Sequence, residues 1–381
     1  MQIQLDCVNN FSNKWGLKIN TKKTKICIFE TRKRANDNEW FINGEKLEVV
    51  DSFNYLGIKF HYTGNMKYAT QSLSEQALRA YNSLLSIFDR VNLNINTKLS
   101  LFDSLVMPIL LYGCEVWGIY DIKEVDKIHL KFCKRILGVK QQTPNIAVYG
   151  ELGRLPLNEI AKERSLRYWA KLIRNQHLPT FRIFNEQINS PNTSAWGNRI
   201  KEALDKLGFG NMWNDYTSVP LHNFIFKQRI HDQYIQTWST QLNNTSKLDY
   251  YRQFKTNFCF ENYLSDIQND KLRRQLTCFR VTSHTLEIEF GRFMGSTRQE
   301  RICKVCNNNA VESEYHFLLC CPLYSNIRQK HLGNRSIRWP SIQKFNKIMA
   351  SENKTLVLQT AKFINEAFQV RKQSLEALTA P

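Results

Sequence analysis

The chain has 381 residues, 42% of them hydrophobic and 12% aromatic. That is enough apolar material for two or three packed units, and it excludes a disordered polymer. Against 34 Asp and Glu stand 53 Lys and Arg, a net charge of +19; this exceeds what solubility needs and points to a polyanion such as nucleic acid as partner.

In chain order, Leu5, Val8, Phe11 and Trp15 recur at helical spacing and mark an amphipathic helix that stops at Gly16. Lys25–Phe29 reads as a strand. Asn43-Gly44 lies between two apolar runs and is a hairpin signal, because a type I′ turn needs two residues tolerant of positive φ. Phe53–Phe60 reads as one further strand. From about residue 69 the pattern is helical, with Ser72 and Glu75 as a possible capping box ahead of Leu73, Ala77, Tyr81, Leu84, Leu85 and Phe88.

A second helix opens at Thr97 and is kinked or ended by Pro108. A third, from about Asp121 to Gly138, sets Val125, Ile128, Phe132 and Ile136 against Lys123, Lys127, Lys131, Lys134 and Arg135. A fourth, from about Asn158 to Arg174, sets Leu166, Trp169 and Ile173 against Arg164, Arg167, Lys171 and Arg174. Charged outer faces are common on surface helices. Two consecutive and almost purely basic ones fit a surface that tracks a phosphate backbone. Clusters of Asn, Ser, Thr, Pro and Gly at Asn189–Gly197 and Asn243–Ser246 are expected to be linkers. Lys354–Leu378 reads as a helix whose stripe of Leu356, Phe363, Ile364 and Phe368 packs back on the chain.

The sharpest pattern is Cys303-x2-Cys306 followed, after nine intervening residues, by His316-x4-Cys321. Three thiolates and an imidazole make a closed tetrahedral set of the kind a structural Zn2+ occupies; a catalytic zinc keeps one position open. A cluster of buried free cysteines is the alternative. Cys320, four residues after His316, would share its face on a regular helix, whereas Cys321 precedes Pro322 and is pushed off helical dihedrals. Cys321 is the chosen fourth ligand and Cys320 the fallback. The window from about Arg280 to Tyr324 reads as too polar to bury much core, so metal is expected to supply most of its folding energy. The other six cysteines, Cys7, Cys27, Cys114, Cys133, Cys259 and Cys278, are scattered and form no disulfide framework. They point to a reducing compartment. The longest apolar run, Leu105–Tyr112, contains Pro108 and falls short of the roughly 20 residues of a membrane span. A soluble intracellular protein of nucleus and cytoplasm, with no membrane partner, is expected.

Taken together, the short motifs resemble reverse transcriptases of non-LTR (LINE-type) retrotransposons. Trp15-Gly16-Leu17-Lys18-Ile19-Asn20 followed by Lys22, Lys23, Thr24 and Lys25 is similar to the fourth palm motif of that family. Tyr55-Leu56-Gly57 is similar to its primer grip. Leu111-Tyr112-Gly113 with Trp117, and Gly150-Glu151-Leu152-Gly153-Arg154, resemble its thumb. Arg280, His284, Gly291-Arg292 and Arg301 lead into the cysteines as they do upstream of the family's C-terminal CCHC knuckle. The resemblance implies a mostly α, α+β chain with a small antiparallel palm remnant and primer grip at 1–62. It also implies a helical thumb at 63–180, a helical connector at 181–279, a zinc knuckle at 280–330 and a helical tail at 331–381.

It further implies RNA and DNA as partners. The expected contacts are Lys22, Lys23, Lys25, Tyr55, Leu56 and Gly57, the two basic helical faces, and Arg292, Arg298 and Arg301 beside the knuckle. The family positions two Mg2+ with aspartates. This sequence has no Asp-Asp dipeptide. The expectation is therefore a piece of a longer polyprotein, without its N-terminal palm and fingers, in which Mg2+ belongs only to the intact parent enzyme. Two other readings compete: a host-recruited zinc-binding protein-interaction module, and a Mg-dependent nuclease using Asp266 and Asp270 near Lys271.

Overall fold

A computed structural model of the protein describes residues 1–30, 38–120, 123–190, 195–219 and 224–379. Helix α1 (Gln2–Lys14) ends where Gly16 takes a positive φ of 66°. Three small strand pairs follow. β1 (Lys25–Ile26) pairs in parallel with β4 (Glu48–Val49), and β2 (Phe41–Ile42) pairs antiparallel with β3 (Glu45–Lys46). Asn43 and Gly44 turn that hairpin at φ 53° and 77°, as the sequence predicts.

Phe53–Phe60 differs from its expectation of one strand. It is a hairpin of β5 (Ser52–Tyr55) and β6 (Ile58–His61), turned by Leu56 and Gly57 at φ 48° and 85°. The glycine supplies the conformation that the alternating apolar pattern conceals. Among the described residues, Ile26, Trp40, Ile42 and Leu47 form the buried hydrophobic cluster of this region. Most of the apolar face of α1 is uncovered: Phe11 is 60% and Trp15 66% exposed.

The rest is helical. α2 (Lys67–Arg90) begins earlier than the expected capping box, so Ser72 and Glu75 lie inside it; Asn65 Oδ1 accepts the Lys67 N–H at 2.9 Å instead. α3 (Ile95–Leu105) is capped by Asn94, which accepts from the Thr97 N–H at 2.8 Å. Pro108 sits in the first turn of α4 (Met107–Leu110), a position proline tolerates because the missing N–H has no helical partner there. α5 (Cys114–Trp117) and α6 (Lys123–Leu137) follow, then α7 (Asn145–Leu152) and α8 (Leu157–Arg174). Asp121, the expected start of the third helix, lies outside the described residues. Gly118 lets α5 and α8 approach closely, since a Cβ there would collide with the Cys114 and Ala161 carbonyls.

α9 (Pro179–Asn189), α10 (Ala195–Lys206) and α11 (Asn211–Asn214) lead to α12 (Phe224–Asn244). Residues 191–194 of the expected first linker are outside the described set, and Gly197 already belongs to α10. The second, Asn243–Ser246, is a helix end and tight turn running directly into the buried Leu248. Short α13 (Tyr251–Phe254) and α14 (Tyr263–Asp266) precede α15 (Asp270–Arg280) and α16 (Glu287–Phe293). α17 (Ser325–Ile337) is broken at Gly333, and α18 (Ile342–Met349) and α19 (Lys354–Thr379) close the chain.

Two cores hold the helices. One gathers Leu166, Trp169 and Ile173 of α8 with residues of α9 to α12. The larger runs from Leu73 of α2 to Ala367 of α19 and includes Cys303, Phe317, Leu318 and Cys321. The window 280–324 is therefore not a small polar island, because tertiary partners from α15, α17 and α19 bury it. Phe363 and Ile364 place the C-terminal helix in that same core, as its stripe predicts. One corner ties the body together. Gly153 turns the chain after α7 at φ 58°; Glu151 on one side takes the buried Arg280 at 3.1–3.2 Å, and Arg154 on the other takes Asp103 of α3 at 3.0 Å and His129 of α6 at 3.2 Å. Arg280 lies 4.9 Å from each of the Phe254 and Tyr263 rings and also pairs with Glu261 at 2.7 Å. The fold class is α+β, mostly α. One of the three strand pairs is parallel, because β1 and β4 are joined across a hairpin.

Candidate metal centre and nucleic-acid interface

The ligand region begins with an antiparallel bridge between Ile302 and Val311. The Cys303 N–H donates to Ala310 O and the Glu312 N–H to Arg301 O, both at 2.9 Å. Asn309, at φ 47°, helps reverse the chain between them. Cys303 and Cys306 thus stand on one knuckle-like turn. His316–Cys320 is a π-turn, closed by the Cys321 N–H donating to His316 O at 2.8 Å. The wider turn brings the residue five on, not four on, alongside the imidazole. Cys321, ahead of Pro322, is extended at φ −62° and ψ 123°.

The ligand atoms of Cys303, Cys306, His316 and Cys321 all lie within 4.8 Å of one another, and Cys306 Sγ is 3.5 Å from His316 Nε2. Zn–S bonds of about 2.3 Å place tetrahedral sulfurs roughly 3.8 Å apart, so a small contraction would seat the ion. Three soft sulfurs and one nitrogen suit zinc, and the set leaves no fourth position for substrate. The thiols hold one another: Cys303 is pushed up to about 12, first by its hydrogen bond to Cys321 and then by burial, while accepting that bond lowers Cys321. Cys320 is outside the cluster and interacts with Tyr315, whose hydroxyl is pushed up to about 12 by burial and by that thiol.

The other predicted residues are distributed as follows. Tyr55 and Leu56 line a cleft with Phe60, Met107, Tyr112 and Arg164. Tyr112 Oη donates to Leu56 O at 2.9 Å, so the Leu111-Tyr112-Gly113 motif docks on the Tyr55-Leu56-Gly57 turn. Lys22 and Lys23 are exposed, and Lys25 pairs with Glu48. On α6, Lys123, Lys127, Lys131 and Arg135 are exposed; Lys131 Nζ sits 5.9 Å from the Tyr81 ring centre and Arg135 lies 3.5 Å from Asp89.

Lys134 does not belong with them. It is 5% exposed and donates to Gln141 O at 2.6 Å, because the apolar arc of α6 is wide enough to take it in. On α8, Arg167, Lys171 and Arg174 are exposed, with Arg167 3.7 Å from Glu163 and Arg174 Nε bonded to Ala170 O at 3.1 Å; Arg164 is half-buried. Near the cysteines the arginines are engaged internally: Arg292 with Glu289 at 3.3 Å, Arg298 with Asp249, and Arg301 with the carbonyls of Ser296 and Ile288. Asp266 pairs with Lys354 at 2.9 Å and Asp270 with Arg273 and Arg274; among the described residues the set of three cysteines and one histidine is the metal-competent group. Spacing gave no signal for Glu312, Arg328 and Arg371, the charged residues packed behind the ligands.

The chain is similar over 173 residues, at 21% identity, to the RNA-directed DNA polymerase of transposon X-element from Drosophila melanogaster, covering 44% of this chain and 19% of that protein. It is 26% identical over 143 residues to the RNA-directed DNA polymerase of the mobile element jockey from the same organism, covering 36% and 15%. Its homologues are non-LTR transposon polymerases. A transposon-derived protein of Caenorhabditis elegans joins them, 29% identical over 131 residues, 32% of this chain and 45% of that one. The matches thus span less than half the length of each of these relatives. No protein-family model and no solved structure matches the chain. No helix among the described residues is long and apolar enough to cross a membrane.

Proposed function

We propose that this chain is a part of a retrotransposon RNA-directed DNA polymerase that holds nucleic acid rather than performs the chemistry. The homology to two transposon polymerases is the observation that carries this reading. Cys303, Cys306, His316 and Cys321 hold a structural Zn2+, which fixes the segment on the helical body. The exposed cations of α6 and α8 contact phosphates of RNA or DNA, and the cleft around Tyr55 and Leu56 faces the template–primer. Catalytic Mg2+ belongs to the intact enzyme, since two-metal phosphoryl transfer needs paired carboxylates and the sequence holds no Asp-Asp.

Electrostatic binding has a signature. Reversing Lys127, Lys131, Arg167 and Lys171 to Glu should weaken all oligonucleotides alike. The slope of log K against log salt should also flatten, by about 0.7–0.9 for each phosphate no longer neutralised. An unchanged slope in the quadruple variant moves the binding surface elsewhere on the chain. A protein-interaction module would show no salt-dependent affinity for RNA or DNA at all.

A further inference from the structure

Three thiolates around one divalent zinc leave a centre with net charge −1, in a place where most ligands are buried. The charged groups behind the ligands come partly from chain beyond Cys321. Arg371 of α19 bonds Glu312 through Nε at 2.7 Å and Nη2 at 2.6 Å. Glu312 lies 3.8 Å from Cys303 Sγ and accepts the Glu287 N–H at 2.7 Å; Glu287 in turn takes Lys304 at 3.0 Å. Glu314, on the same loop, faces His284 at 2.9 Å. Glu312 and Glu287 are thus matched by Arg371 and Lys304.

Arg328 of α17 is different. It is 3% exposed, donates Nε to Leu318 O and Nη2 to Cys321 O, both at 2.8 Å, and lies 5.9 Å from the Phe363 ring centre. Among the described residues no carboxylate pairs with it. A buried guanidinium is permanently charged and costly without an opposite charge nearby. Arg328 holds the carbonyl of Cys321, itself a member of the cluster, and the Cys321 thiolate is the foremost opposite charge acting on it.

We propose that Arg328 is the counter-ion of an anionic zinc centre formed by the three thiolates and His316, resting on the metal reading above. Its side chain does not touch the metal; it is a positioning residue that makes the anionic state of the ligands favourable. The rival role is mechanical, with the guanidinium merely tying the π-turn to α17.

The test uses the full chain, zinc competition with a chromophoric chelator, and melting midpoints with and without zinc. Arg328→Gln keeps a donor for one carbonyl and loses the charge, whereas Arg328→Lys keeps the charge and loses the fork. The counter-ion role predicts that Gln weakens zinc by about 10–100-fold, in the range of outer-shell substitutions. Lys should stay within a few-fold, and the zinc-induced rise in midpoint should shrink only in Gln. Equal weakening by both, or by neither, overturns it. If Arg328→Gln yields no folded chain, Lys decides alone: retained affinity supports the charge role and lost affinity overturns it. A wild-type chain without stoichiometric zinc removes the metal reading itself, a result distinct from any difference between the variants.

Discussion

The N-terminal strand pairs and the segment that carries the Cys3His cluster are both poor in regular structure, yet they are held in different ways. Among the described residues, the first region rests on a hydrophobic cluster of Ile26, Trp40, Ile42 and Leu47, and leaves much of the apolar face of α1 in solvent. The second is rich in Asn, Glu and Arg, yet Phe317, Leu318, Cys321 and Tyr324 are enclosed by the main core. Burial here follows from tertiary partners more than from local apolarity. α1 packs against the strand β2, whereas the π-turn packs on α17 and its Phe317 ring meets Phe279 of α15 and Phe363 and Phe368 of α19. Partnered polar groups can be buried; unpartnered apolar ones stay outside.

The largest effect that would sharpen this contrast is at the metal. Replacing Cys303, Cys306, His316 or Cys321 with Ala should each abolish stoichiometric zinc, measured as metal per purified chain, while Cys320→Ser should retain it. Since the π-turn is packed into the main core, the metal-free protein should keep most of its helical circular dichroism and lose midpoint. Collapse of the helical signal on chelation would make the segment an autonomous zinc-dependent unit. Next in size is Arg280→Met. Removing one member of a buried ion pair costs about 3–5 kcal/mol, so the urea midpoint should drop accordingly. Phe317→Ala should cost about as much, roughly 3–5 kcal/mol, as befits a fully buried aromatic. The smallest effect is expected in the other region: Trp15→Ser should change stability by within about 0.5 kcal/mol. A loss of several times that would show that the face of α1 is covered and break the comparison.

Much of this was legible from residues alone. α2, α6, α8 and α19 follow the apolar spacing read for them, and Asn43-Gly44 announces its hairpin. The clustering of Cys303, Cys306, His316 and Cys321 was readable because two short spacings sit close together and Pro322 favours Cys321 over Cys320. What stayed hidden depends on contacts distant in sequence. Leu56-Gly57 looked like mid-strand because a two-residue turn barely disturbs an alternating pattern. Lys134 looked exposed because periodicity cannot tell how wide a buried arc is. The partnership of Glu312 with Arg371 spans 59 residues and leaves no local trace.

The corner between α7 and α8 has a dynamic consequence. Glu151 and Arg154 leave one turn and lock into groups contributed by α15 on one side and α3 on the other, while Glu151 O accepts the Glu261 N–H at 3.0 Å. Neither side can open without stripping a charge from this corner, so the two should come apart as one cooperative unit. Amide hydrogen exchange would then be slowest at Leu152 and Glu261, with rates that track global unfolding. The exposed C-terminal turns of α9 and α19 should exchange orders of magnitude sooner.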